Sequence, residues 1–281
     1  MLQSAVYTLP FLIAYFYRMF SPPLRITFLG TGTSSGVPMI ACSCPVCCSD
    51  DPRDNRFRSS ILVESDTTTI VVDTTPDFRL QMLRESVKKL DAVLFTHPHK
   101  DHIAGLDDVK AYNYFQQQPM MVYANELTQT ALRREFAYVF AEQKYPGIPD
   151  ISLHEMPEET FLIGDIPVTP IKVWHLKMPV LGFRFGTFTY ITDANRIEDA
   201  EKEKIKGSTA MVLNALRHEK HISHFNLQEA IELVHELKVP QAYFTHISHQ
   251  LGKHADVSAT LPQGIELAYD RQLVFSPVPD V

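Results

Sequence analysis

The residues best suited to chemistry lie in Thr96-His97-Pro98-His99-Lys100-Asp101-His102-Ile103-Ala104-Gly105, which places three imidazoles and a carboxylate within six residues. The stretch follows the apolar run Ala92-Val93-Leu94-Phe95, which reads as a buried strand. The donors therefore sit where a strand gives way to a loop, a common seat for chemistry. Imidazole nitrogen and carboxylate oxygen suit zinc, manganese or iron. Four donors this close in sequence cannot all reach one tetrahedral ion from one loop. The spacing points to two ions side by side, with His97 and His99 turned to one and Asp101 and His102 to the other.

Three more donors follow apolar runs read as strands: His175 after 168–174, Asp193 after 187–192 and His246 after 241–245. Polar donors brought to one edge of a sheet make a site. A second cluster is Cys42-Ser43-Cys44-Pro45-Val46-Cys47-Cys48, which holds all four cysteines of the chain. Its C-x-C-x-x-C offers three thiolates where structural zinc takes four donors, and Cys48 matches nothing. Clustered cysteines indicate a local metal site and a reducing, cytoplasmic location rather than a disulfide framework. Gly30-Thr31-Gly32-Thr33-Ser34-Ser35-Gly36-Val37-Pro38 lacks both the Gly-Lys-Ser/Thr ending and the G-x-G-x-x-G spacing of phosphate loops. Its glycines read as tight turns and close backbone approach. His224 stands just before a helix opened by Asn226 and Glu229, from where an imidazole can meet an anionic substrate. Arg217 and His218, upstream, are further candidates for phosphate.

H-x-H-x-D-H after a strand resembles the metal motif of the metallo-β-lactamase superfamily. The GTG-x-x-x-GVP opening, C-x-C-x-x-C, and Thr245-His246-Ile247-Ser248-His249-Gln250 are similar to the PhnP-type phosphodiesterase branch, related to tRNase Z, over Arg25 to about Ser276. The resemblance implies an α/β fold, the four-layer αββα metallo-β-lactamase sandwich, as a hydrolase domain over 24–281. It implies two divalent catalytic ions, zinc or manganese. His97, His99 and His175 would hold one; Asp101, His102 and His246 would hold the other. Asp193 would bridge them, and a hydroxide held between the ions would attack the substrate. It also implies a structural zinc on Cys42, Cys44, Cys47 and His249, with Asp73 supporting the metal loop from behind. Asp101 and His224 are the implied catalytic pair, His224 as general acid or phosphate contact. The implied reaction is hydrolysis of a small phosphodiester, cyclic ones included. A tRNase Z-like endoribonuclease and a thioesterase or lactonase of the same fold are the alternatives. The chain departs from the pattern over 120–155 and at Asn214-Ala215-Leu216-Arg217, where an acidic residue is expected.

The 281 residues are 45% hydrophobic, enough for one large α/β domain with a substantial core. Lys plus Arg number 26 against 33 Asp plus Glu, a net −7. That balance, with no basic arm, speaks against a nucleic-acid partner and leaves room for a small anionic substrate. Residues 1–23 form an apolar N-terminal extension with Arg18 as the only charge of its 5–20 core. That core is short of the roughly 20 residues of a spanning helix and lacks a basic n-region. Three readings remain: a peripheral anchor, a packing extension, or a start placed too early with Met19 the true one, the last two being favoured. No membrane partner is indicated, and a homodimer stays open. Helices are expected over 75–89, 107–118, the Leu127–Phe140 stripe and from Asn226. Residues 144–149 read as a turn-rich loop or lid, and 264–276 as a closing pair of strands.

Overall fold

The structure, a computed structural model, describes residues 22–143 and 145–277. The apolar stretch read over 5–20 lies outside them, as does Lys144. Six strands come first: β1 (Leu24–Gly30), β2 (Ser60–Glu64), β3 (Thr69–Val72), β4 (Ala92–Leu94), β5 (Met120–Ala124) and β6 (Ile151–Glu155). Eight follow: β7 (Phe161–Ile163), β8 (Ile166–His175), β9 (Met178–Phe185), β10 (Phe188–Tyr190), β11 (Arg196–Ile197), β12 (Ala210–Asn214), β13 (Gln241–Thr245) and β14 (Ile265–Leu267). The last, β15 (Leu273–Ser276), returns to the first sheet. One sheet runs β15-β1-β2-β3-β4-β5-β6, the other β11-β8-β9-β10-β12-β13-β14, with β7 paired to β8.

Side-chain alternation explains the layers. Ile26, Phe28, Ile61, Val63, Ile70 and Val72 of the first sheet meet Phe183, Phe185, Tyr190 and Val212 of the second in one apolar slab. The opposite faces carry Leu62, Val71 and Val93, packed with Phe78, Ile103 and Leu132, and Met211, Leu213 and Phe244, packed with Leu227, Ala230 and Val234. Strands buried on both faces are apolar throughout, which is why their runs stand out in the sequence. Helices outside both sheets complete the αββα sandwich.

Strand direction builds the site. β3, β4 and β5 are parallel, and so are β10, β12 and β13. Parallel strands put their C-terminal ends on one edge, where ligand sites form. Asp73 follows β3, His97 lies just beyond β4, Asp193 lies beyond β10 and His246 follows β13. The two edges meet at this end, where the Leu181 amide donates to the Thr96 carbonyl at 3.0 Å. Asp73, Asp193 and His246 all turn in the left-handed region, at φ 65°, 54° and 56°. Non-glycine residues take that conformation only where surroundings enforce it.

Four sequence expectations need correction. The Leu127–Phe140 stripe is helical only over Glu126–Glu135; Phe136 leaves helical geometry at φ −116°, and Val139 and Phe140 lie beyond the helix. The helix read over 75–89 spans only Phe78–Arg84. Asp77 spends its carboxylate on the Arg58 amide and guanidinium instead of capping, and Ser86 at φ 57° ends the run. The helix read over 107–118 is a 3-10 turn, Leu106–Val109, leading into Lys110–Gln116. The closing strands do not pair with each other: β14 is parallel to β13 in one sheet, β15 antiparallel to β1 in the other. The helix Leu227–Leu237 opens as expected, with Asn226 Oδ1 accepting from the Glu229 amide at 2.9 Å and Glu229 returning a carboxylate to the Asn226 amide at 3.1 Å. Among the described residues no helix is long and apolar enough to cross a membrane.

Candidate metal centre

Asp193 is the middle of the site. Its Oδ2 lies 3.1 Å from His246 Nδ1 and 3.3 Å from His102 Nε2. Its Oδ1 lies 3.8 Å from His224 Nδ1 and 4.0 Å from His97 Nε2. One carboxylate thus faces two groups of imidazoles with separate oxygens. Ligand atoms of Asp101, His102, Asp193 and His246 fall within 4.8 Å of one another. On the other side His97 Nε2 is 3.1 Å from His99 Nδ1, and the His99 and His175 rings are 5.1 Å apart. His175, Asp193 and His224 also come within 4.8 Å of one another. All seven donors named from the sequence therefore converge, and His224 stands among them rather than outside.

Rings at such a centre must present a lone pair, so something behind them must take the other N–H. Asp73, fully buried, does this for two. His102 Nδ1 donates to Asp73 Oδ2 at 2.7 Å, leaving Nε2 toward Asp101 and Asp193. Thr96 donates its hydroxyl to the same oxygen at 2.8 Å, so its Oγ1 accepts from His97 Nδ1 at 2.9 Å. His97 is then left with Nε2 forward. The Thr96 amide holds Asp73 Oδ1 at 2.8 Å. Thr192 donates to Asp193 Oδ2 at 2.7 Å. Neither threonine was singled out in the sequence, although each immediately precedes a donor.

The donor set fits divalent cations. His102 Nε2, His175 Nδ1, His224 Nδ1 and His246 Nδ1 are buried with no hydrogen-bond partner among the described residues. Such orphans call for an ion or other partner. Burial works against a charged His102, yet Asp101, Asp193 and Asp73 outweigh it and push its pKa well up. The pocket thus draws positive charge, which a divalent ion would supply in place of the proton. His97, His99, Asp101, His102, His175, Asp193 and His246 are the residues that would hold the ions.

Asn214, where an acidic residue was expected, has a structural use instead. Fully buried, it accepts from the Ala194 amide at 2.8 Å and donates to the Ala194 carbonyl at 3.0 Å. This two-point clamp holds the turn in which Asp193 takes its left-handed conformation. The Phe225 amide reaches the same carbonyl at 2.8 Å, tying the His224 loop to that turn. A carboxylate at 214 would lack the donor and bury a charge against a carbonyl. Asn214→Asp should cost roughly 3 kcal/mol of stability, read as a lower denaturant midpoint; an unchanged midpoint would discount the clamp.

The cysteine loop closes on the neighbouring segment. Cys42, Cys44, Cys47 and His249 bring their ligand atoms within 4.8 Å of one another. Cys42 Sγ and Cys44 Sγ lie 3.4 and 3.3 Å from His249 Nδ1. The Cys47 amide, with His249, lowers the Cys44 thiol to about 6, favouring thiolate at neutral pH. Cys48 is exposed and stays out of this group.

A family model for the β-lactamase superfamily domain matches residues 68–247. The chain belongs to the metallo-β-lactamase superfamily, a fold of hydrolases. Within it, the chain is similar to a PhnP-family protein. A crystal structure described as a new diphosphatase from the PhnP family is 40% identical, with TM-score 0.83, covering 89% of this chain and 97% of that one. Human tRNase Z, short form, shares the fold at 17% identity and TM-score 0.64, covering 91% of this chain and 99% of that one. A protein of Porphyromonas gingivalis (strain ATCC BAA-308 / W83) named octanoyltransferase is 36% identical over 250 residues, 88% of this chain and 50% of that protein. The chain spans about half the length of the curated relatives it matches.

Proposed function

We propose that this chain is a metal-dependent phosphodiesterase for small substrates, cyclic diesters and diphosphate esters included, with two divalent ions at the centre and a structural zinc on the cysteine loop. The observation that carries the reading is Asp193, whose two oxygens face two separate sets of imidazoles. Ions held there would supply Lewis acidity and a nucleophilic water at neutral pH. Asp73 and Thr96 hold His97 and His102 in the tautomers that such ions need. Asp101 is the second carboxylate of the centre, 3.1 Å from His102 Nε2.

His224 is the group placed to meet the phosphoryl oxygens. Burial, followed by His246, lowers its pKa to about 3, so the ring is neutral at neutral pH and offers an N–H rather than an acidic proton. That favours phosphate contact over general acid, the other role considered for it. His221, its ring 5.0 Å from that of His224, continues the line outward, and Arg217 and Lys220 lie on the same loop. In the overall reaction water adds to phosphorus, the P–O ester bond breaks, and the departing oxygen takes up a proton. The 40%-identical structure described as a diphosphatase supports phosphorus over carbon as the centre attacked. An RNA substrate is disfavoured by the net charge of −7. The octanoyltransferase relative is twice the matched length, so its name gives no substrate for this domain.

The test is metal analysis joined to a substrate panel of cyclic and linear phosphodiesters, diphosphate esters, thioesters and lactones, each assayed with zinc and manganese. We expect two chelatable ions plus one thiol-bound zinc per chain, with phosphodiesters or diphosphate esters turned over fastest. Faster turnover of a thioester or lactone would overturn the reading.

A further inference from the structure

The glycine loop Gly30–Pro38 is the one sequence motif without a place in the chemistry so far. Four of its amides are spent on the surrounding backbone. Gly32 donates to the Phe57 carbonyl at 2.7 Å, Thr33 to Ile247 at 3.1 Å, Gly36 to Thr33 at 2.8 Å and Val37 to Arg56 at 3.0 Å. Its glycines are there for close approach: a Cβ on Gly30 would lie 2.0 Å from the Arg58 carbonyl oxygen. What the loop does grip is the segment carrying His246. The Ile247 amide donates to the Thr31 carbonyl at 2.9 Å, and Thr33 returns its own amide to Ile247. Thr33 Oγ1 then lies 3.2 Å from His246 Nε2. The other ring nitrogen, Nδ1, is the buried orphan 3.1 Å from Asp193 Oδ2.

We propose that Thr33 is the positioning residue for His246: its hydroxyl oxygen accepts the Nε2 proton and so fixes the tautomer whose Nδ1 lone pair faces the metal centre. The idea rests on the two-ion reading above. Asp73 and Thr96 do this for His102 and His97 from the first sheet, and Thr33 is their counterpart for a ring of the second. The backbone brackets at Ile247 hold His246 in its left-handed turn, while the hydroxyl sets the ring. A ring free to hold its proton on Nδ1 would present an N–H where a lone pair is needed.

The experiment is Mn2+ titration by calorimetry of the full chain, freed of its catalytic ions by chelation, for wild type, Thr33→Val and Thr33→Ser. We expect two Mn2+ sites in wild type, one of them weakened about 10- to 100-fold in Thr33→Val and restored in Thr33→Ser. Threonine and valine have the same shape, so the difference reads the hydroxyl alone. Wild-type affinities at both sites in Thr33→Val would overturn the role of Thr33 and leave the centre standing. No Mn2+ uptake by wild type would overturn the two-ion reading and Thr33's role with it.

Discussion

Asp193→Ala should leave at most one ion in the centre and reduce turnover by on the order of 10³-fold or more. Four imidazoles stand within 4.0 Å of this one carboxylate. Burial raises the cost of its charge, yet His246 and His102 hold its pKa well below the usual carboxylate range. Removing it takes the only carboxylate among the described residues that faces both sets of rings and leaves like groups crowded together. Asp193→Asn keeps the shape and one oxygen but puts an NH2 where a cation or its ligands must be, so it should fail nearly as badly. Metal content by elemental analysis, measured beside kcat, checks both variants. Two retained ions with turnover within tenfold of wild type would show that Asp193 is not shared between the two halves.

The donors of His97 to His102 were legible because they are contiguous, and those of His175, Asp193 and His246 because each follows an apolar run. A strand buried on both faces writes its length directly into the sequence, and parallel order then fixes where its last residue lands. What supports those donors was not legible. Thr33 and His246 are 213 positions apart, and nothing local marks a threonine as the partner of a distant ring. Asn214 looked like a departure from pattern because its partner is a backbone peptide, Ala194, which no side-chain motif records. The left-handed turns of Asp73, Asp193 and His246 were equally hidden, since none is glycine. The cysteine pattern announced three donors, but His249 entered only through family resemblance, because loop closure between 47 and 249 is a property of the whole sandwich.

His224→Ala separates the remaining roles in the site. The ring is buried, 4.6 Å from His175 and 4.9 Å from His246 between centroids, and close enough to Asp193 to be a ligand in its own right. As a phosphate contact, its loss should leave both ions in place and lower turnover roughly 10²- to 10⁴-fold, the range typical of a positioned imidazole. Loss of one ion would make it a ligand, and unchanged turnover would make it structural. Comparing esters then distinguishes contact from acid. A p-nitrophenolate leaves without a proton, whereas an alkoxide needs one. A general acid would therefore matter far more for an alkyl diester than for bis-p-nitrophenyl phosphate. A neutral ring donating to a phosphoryl oxygen should matter about equally for both. The depressed basicity of His224 predicts equal losses; a deficit confined to the alkyl diester would restore the proton-donor role.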